Sequence, residues 1–176
     1  SNWLHDVSYF TPNYIVGYGA TKEVFYCPSN PEKNADMPEV WQFTQQSPPV
    51  SGFKDESSVD PENQFRVTGY FWMLDKEEPR TNQPLAGKWV RLSTMKNASS
   101  TELITDATFS TFEDPDSDFK NVKGGLCSQY GIMDSSNHLD GTDALGGNIL
   151  FLDGRTTWRS FSEMKVRWGS NPCHWW

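Results

Sequence analysis

Breakers cut this chain into short pieces, and that limits its fold more than any other feature. Pro28, Pro31 and Pro38 fall within residues 28–38, and Pro48, Pro49 and Pro61 within residues 46–64, among many Ser, Asp and Glu. Residues 75–87 and 113–125 are polar and turn-rich in the same way. Only short apolar segments lie between them, none near the roughly 18 residues that cross a bilayer as a helix. No internal repeat or inter-domain linker is visible, and 176 residues fit one domain, 1–176.

The short segments read mostly as strands. Residues 66–73 (RVTGYFWM) are β-branched and aromatic, with Gly69 as a weak point or bulge. Residues 24–26 read as a strand end and residues 102–108 (ELITDAT) as a short buried strand. The clearest element is a hairpin: residues 149–152 run into Asp153-Gly154, and residues 155–158 run out. Asp-Gly between strand-like runs favours a two-residue turn with positive φ at both positions. Two short helices are expected. One is capped by Asp36, with Pro38 and Glu39 in its first turn, and carries Val40, Trp41 and Phe43. The other is capped by Ser160 or Ser162 and runs through Glu163, Met164 and Lys165. The expected class is α+β: a small antiparallel sheet, few short helices, many loops.

Twenty-three acids against fifteen bases give a net charge of −8, which argues against nucleic acid as a partner because phosphate binding needs a basic face. Eight Trp, six Tyr and eleven Phe let the chain build a core from few, large side chains, a composition foreign to disordered segments. Three cysteines, Cys27, Cys127 and Cys173, are too few and scattered for a disulfide scaffold or a Cys-based zinc site. One bridge plus a free thiol and three buried thiols are both open. Only Lys22 and Lys33 lie near Cys27 in sequence, so a structural cysteine, buried or bridged to Cys127 or Cys173, is expected over a reactive one.

Other residues carry candidate chemistry. A hydrolase would use His138 with Asp153 or Asp140 and a serine, but no Gly-x-Ser-x-Gly elbow or His-Glu-x-x-His helix is present. The plainer reading gives Asp153 to its turn and makes His138 a structural hydrogen-bonding group that fixes the loop before the last hairpin. Asp114, Asp116 and Asp118 alternate as in the first half of a calcium loop, but Phe119 and Gly125 stand where that loop needs Gly and Glu. Asp140 and Asp143 form a second acidic cluster, and residues 113–153 hold eight acids and two bases. Hard oxygen donors in such loops suit Ca²⁺; solvated acidic loops are the commoner outcome. The tail from 155 to 176 has four bases, one acid and Trp158, Trp168, Trp175 and Trp176. Trp168, Trp175 and Trp176 are candidates to stack on sugar rings of a polysaccharide, but packing of these rings into the sheet is the default reading.

Several segments, taken in order, resemble the prepilin-like family and type II secretion pseudopilins. Residues 23–29, ending Cys27-Pro28-Ser29, look like its Phe-x-Cys-Pro-Ser signature. Thr68-Gly69-Tyr70 is similar to its Ser-Tyr-Gly strand, and residues 99–106 to a segment closing on an aspartate, here Asp106. His138, then Asn148 in a Gly-Asn-apolar strand, then Asp153-Gly154, resembles its closing signature, although residues 139–152 make a longer spacer than the family's. The resemblance implies a pilin-like headgroup and a non-enzymatic structural subunit. It further implies an apolar N-terminal helix upstream of Ser1, anchorage in the inner membrane with the domain periplasmic or extracellular, and processing by prepilin peptidase. Other pilin-like subunits would be the partners, in a pilus or a secretion pseudopilus. Some pseudopilins hold calcium in a late loop, which bears on the acidic clusters; no other cofactor is implied.

Overall fold

The computed structural model describes residues 4–8, 10–31, 34, 41, 65–73, 97–122, 134–169 and 172–176. Among them lie one α-helix, α1 (Phe10–Gly17), and four small antiparallel sheets, a mixed α/β architecture that is mostly sheet. β1 (Asp6–Ser8) pairs with β2 (Phe65–Val67). The largest sheet orders β3 (Tyr70–Trp72), β4 (Glu102–Asp106), β8 (Gly146–Phe151) and β9 (Thr156–Ser160) side by side. A third joins β10 (Val166–Trp168), β11 (Cys173–Trp175) and β5 (Thr108–Ser110), and β6 (Leu139–Asp140) pairs with β7 (Asp143–Ala144). No helix among the described residues is long and apolar enough to cross a membrane.

The expected hairpin forms as β8–β9, but its turn differs. Phe151 N–H donates to Arg155 O at 2.8 Å and Gly154 N–H to Phe151 O at 2.9 Å, which leaves a three-residue connection, residues 152–154. Gly154 has φ +85°, whereas Asp153 stays at negative φ. This is the hairpin with a left-handed glycine at its third position, the next commonest solution after the two-residue turn. Asp153 Oδ1 accepts from Arg155 N–H at 3.0 Å, the turn-stabilising role expected of it.

Two segments read as single strands are each broken into two that enter different sheets. Residues 66–73 divide at Thr68–Gly69 into β2 and β3; residues 102–108 divide at Ala107 into β4 and the start of β5, which runs on to Ser110. The breaks sit against each other, with Ala107 N–H donating to Gly69 O at 3.2 Å. A β-carbon on Gly69 would lie 3.3 Å from Cys27 N and Tyr26 Cα, so the chain at 26–27 crosses directly over the break. Residues 22–25 form a 3-10 turn rather than a strand end, with Phe25 and Tyr26 buried. So short an apolar run reads the same for either conformation. Ser160 does begin a short helical piece, the 3-10 turn Phe161–Glu163, and Glu163 Oε2 accepts Ser160 N–H at 3.1 Å. The helix expected from Asp36 lies outside the described residues except for Trp41, which is buried beside Phe25.

Three apolar clusters form the core. Leu4, Phe71, Phe109, Val122, Trp168 and Trp176 make one; Val7, Phe25, Trp41, Val67 and Trp72 a second; Phe119, Met164 and Trp175 a third. The tryptophans of the tail are therefore core residues: Trp168, Trp175 and Trp176 are 3%, 6% and 4% exposed. Strand pairing explains this, since β11 lies against β5 with Trp175 opposite Thr108, and Trp175 Nε1–H donates to Ser110 Oγ at 2.6 Å. Trp176 Nε1–H donates to Glu102 Oε2 at 3.0 Å, and Glu102 Oε1 also pairs with Arg159 at 2.7 Å. The three rings pack into the core, the default reading of the tail, and are not exposed platforms.

Candidate functional site

The breaks at Gly69 and Ala107 leave backbone and side-chain polar groups inside the protein, and a hydrogen-bonded cluster collects them. Its centre is Asp106, the last residue of β4 and buried. Asp106 Oδ2 accepts Asn148 N–H at 2.7 Å, Asn148 Nδ2–H at 2.9 Å and His138 Nε2–H at 3.0 Å; Oδ1 accepts Asn137 Nδ2–H at 3.1 Å. Asn137 also donates to Gly69 O at 2.7 Å and accepts from Asn30 Nδ2 at 3.2 Å. Asn30 reaches Ser135 O at 2.8 Å. Five stretches of chain, at 27–30, 69, 106, 135–138 and 148, are thus tied to one buried polar core.

Gly147 lets β8 come this close. A β-carbon there would lie 2.9 Å from Asp106 Cβ, closer than side chains approach without something moving. His138 adopts φ +53°, an uncommon left-handed backbone for a non-glycine residue. Its N–H is bound by Ser29 Oγ at 3.1 Å, and its ring meets Trp158 edge to face with centroids 5.1 Å apart. The longer spacer after His138 is taken up by the β6–β7 hairpin, which leaves His138 beside Asn148 as well as Asp106.

Cys27 completes the cluster. Its Sγ lies 2.9 Å from Ser29 Oγ and 3.5 Å from His138 Nε2. Burial pushes the thiol above its ordinary pKa and outweighs the lowering by the Ser29 hydrogen bond. Burial likewise raises the Tyr70 phenol, helped by the charges of Cys27 and Asp106. Cys27 is buried and unbridged, one of the two forms expected of it; Cys127 lies outside the described residues. In a nucleophilic relay the histidine takes the proton at one ring nitrogen while an acid holds the other. Here one ring nitrogen, Nε2, faces both the thiol and the carboxylate.

The other sequence candidates lie elsewhere. Pro28 is exposed in the turn between Cys27 and Asn30, and Asp153 and Gly154 sit in the hairpin turn. His138 meets neither Asp153 nor Asp140 but Asp106, 32 residues away in sequence. The acidic loops come side by side: Phe119 N–H donates to Thr142 O at 3.0 Å, and Asp116 and Asp143 line one depression with Pro115 and Ser162. Asp114 and Asp118 use carboxylate oxygens on their own loop, and Asp140 stands opposite Asp143 across the β6–β7 hairpin. Among the described residues no three of these carboxylates converge; the one such group joins Cys27, Asp106 and His138.

Three features escaped the sequence reading. Asn30 and Asn137 hold the cluster together, but buried asparagines carry no spacing signal. The pairing of Cys27, Asp106 and His138 was hidden because no two of them share a segment. Phe10, Tyr14 and Tyr18 stand more than half exposed along α1, a stripe of aromatics at four-residue spacing with the Tyr14 and Tyr18 rings 4.7 Å apart. That spacing was there to be read. No protein-family model matches the chain, and no curated protein or solved structure is significantly similar to it.

Proposed function

We propose that this chain is the headgroup of a pilin-like structural subunit. It is non-enzymatic, carried on an apolar helix encoded upstream of Ser1, and assembles with like subunits in a pilus or secretion pseudopilus outside the inner membrane. The observation that carries this reading is where the resembling residues meet. Cys27, Ser29, Asp106, His138 and Asn148 come from three separated motifs, and each touches another of the set. A signature whose members hold one another in place is what a structural family requires. The carboxylate at its centre is occupied by four donors, which favours a latch over a reactive group.

A subunit that packs on its neighbours needs apolar surface outside its own core, and the Phe10–Tyr14–Tyr18 stripe supplies it. The test is the complete gene product expressed with and without prepilin peptidase. The reading expects membrane fractionation, a shortening by the peptidase, and sheared or crosslinked assemblies that depend on the upstream helix. An ordinary cleavable signal peptide with a freely soluble monomeric product, or a cytosolic start, overturns it.

A further inference from the structure

We propose that Cys27, Asp106 and His138 form a binding site for one transition-metal cation of the zinc class. The proposal stands on the geometry of the cluster, whatever the subunit assembles into. One ligand atom from each residue, the Cys27 sulfur, a His138 ring nitrogen and an Asp106 oxygen, lies within 4.8 Å of the other two. Sγ to Nε2 is 3.5 Å and Nε2 to Oδ2 is 3.0 Å. Zinc held tetrahedrally, with bonds of about 2.3 Å to sulfur and about 2.0–2.2 Å to nitrogen and oxygen, sets its donors roughly 3.3–3.6 Å apart. The Sγ–Nε2 edge matches that triangle, the Nε2–Oδ2 edge is a few tenths of an ångström short of it, and the sulfur–carboxylate edge lies within 4.8 Å.

The shared ring nitrogen suits the cluster to a metal. A single ring nitrogen faces both the sulfur and the carboxylate, so the three donors look toward one point, now filled by the Nε2 proton. Metal binding replaces that proton. The imidazole binds through Nε2 as the tautomer protonated at Nδ1, the thiol gives its proton to water, and Asp106 binds through a carboxylate oxygen. One proton leaves per divalent ion.

The surroundings supply the outer contacts that such sites need. Asn148 and Asn137 keep their bonds to the Asp106 carboxylate, and Ser29 Oγ remains beside the sulfur. The Asp106 side chain is 3% exposed and that of His138 22%, so the site is largely dry yet has an entry past the imidazole. Three protein donors leave a fourth position for water. A thiolate among the donors selects zinc or cobalt over calcium and magnesium, which take oxygen.

The experiment titrates the reduced, metal-free, folded chain with Co²⁺ and follows with Zn²⁺. The expected result is one Co²⁺ per chain, a thiolate-to-cobalt charge-transfer band with intense four-coordinate visible bands, displacement by Zn²⁺, and release of one proton. C27S loses the charge-transfer band and, as a direct ligand, lowers affinity by more than about 100-fold, beyond what outer-contact losses cost. H138Q, which keeps an amide donor toward Asp106, lowers affinity by more than about tenfold even if C27S fails to fold. C127S binds as the parent chain does. The proposal is overturned if the folded parent takes up neither ion at micromolar concentration. It is also overturned if the band survives C27S, or if it disappears with C127S.

Discussion

Asp106 and Asp118 are the same residue with nearly the same number of hydrogen bonds, placed in opposite surroundings. Asp106 accepts four, from Asn137, His138 and two groups of Asn148, inside the protein. Asp118 accepts three, from Lys120 N–H, Asn121 N–H and Asn121 Nδ2–H, on an exposed loop. Water can replace every partner of Asp118 at little cost, whereas the donors around Asp106 would be left bare. The difference teaches that burial, not the number of bonds, decides which carboxylate the fold depends on.

The strongest way to break the comparison is D106A. Leaving several buried donors without an acceptor should cost about 3 kcal/mol or more, read as a lower urea midpoint at unchanged slope. A loss no larger than that of an exposed aspartate would place Asp106 outside the load path of the fold. G147A attacks the same centre from the backbone side. Its new methyl meets Asp106 Cβ at 2.9 Å, and the resulting shift of β8 against β4 should cost about 1–3 kcal/mol. The far end of the scale is D116N, on the exposed loop, which should change stability by less than about 0.5 kcal/mol.

The smallest expected effect concerns pH. The Asn121 side-chain bond, ahead of the two backbone bonds, holds the Asp118 carboxyl below its usual range. A depressed carboxyl contributes stability that is present above its unfolded value, about pH 4, and is lost as pH falls through the lower folded value. N121A should therefore flatten a shallow part of the acid limb of a urea-midpoint titration and leave neutral pH unchanged within error. The exposure of the loop makes this contribution slight and salt-sensitive. An equal acid limb in parent and N121A would remove Asp118 from the account.

The same contrast explains what could be read from the chain. Local signals served in part: Asp153-Gly154 announced a hairpin, Ser160 the start of a short helical piece that ends at Glu163 and does not run on through Lys165, and the short apolar runs a sheet. Each depends on neighbours in sequence. Gly69 was legible as a weak point, but the split of each segment between two sheets was not, because it goes with the chain at 26–27 crossing over and Asn137 reaching in, contacts made across long separations. Helix α1 went unread although Pro12 stands in its first turn, because its aromatics face outward and give no core stripe. For the site, the motif residues could be named individually, but their meeting at Asp106 could not. The tail tryptophans follow the default reading of packing into the sheet, and pairing of β11 with β5 and β10 places them in the core.

Native-state hydrogen exchange at the Asn148 amide tests the central claim most directly, because that N–H is held by Asp106 Oδ2 at 2.7 Å in the heart of the cluster. If the cluster is the latch on which this fold closes, the amide exchanges only through global unfolding, with the same free energy as amides inside β4 and β8. Exchange of Asn148 through a low-energy local opening, while those strands stay protected, would contradict the account.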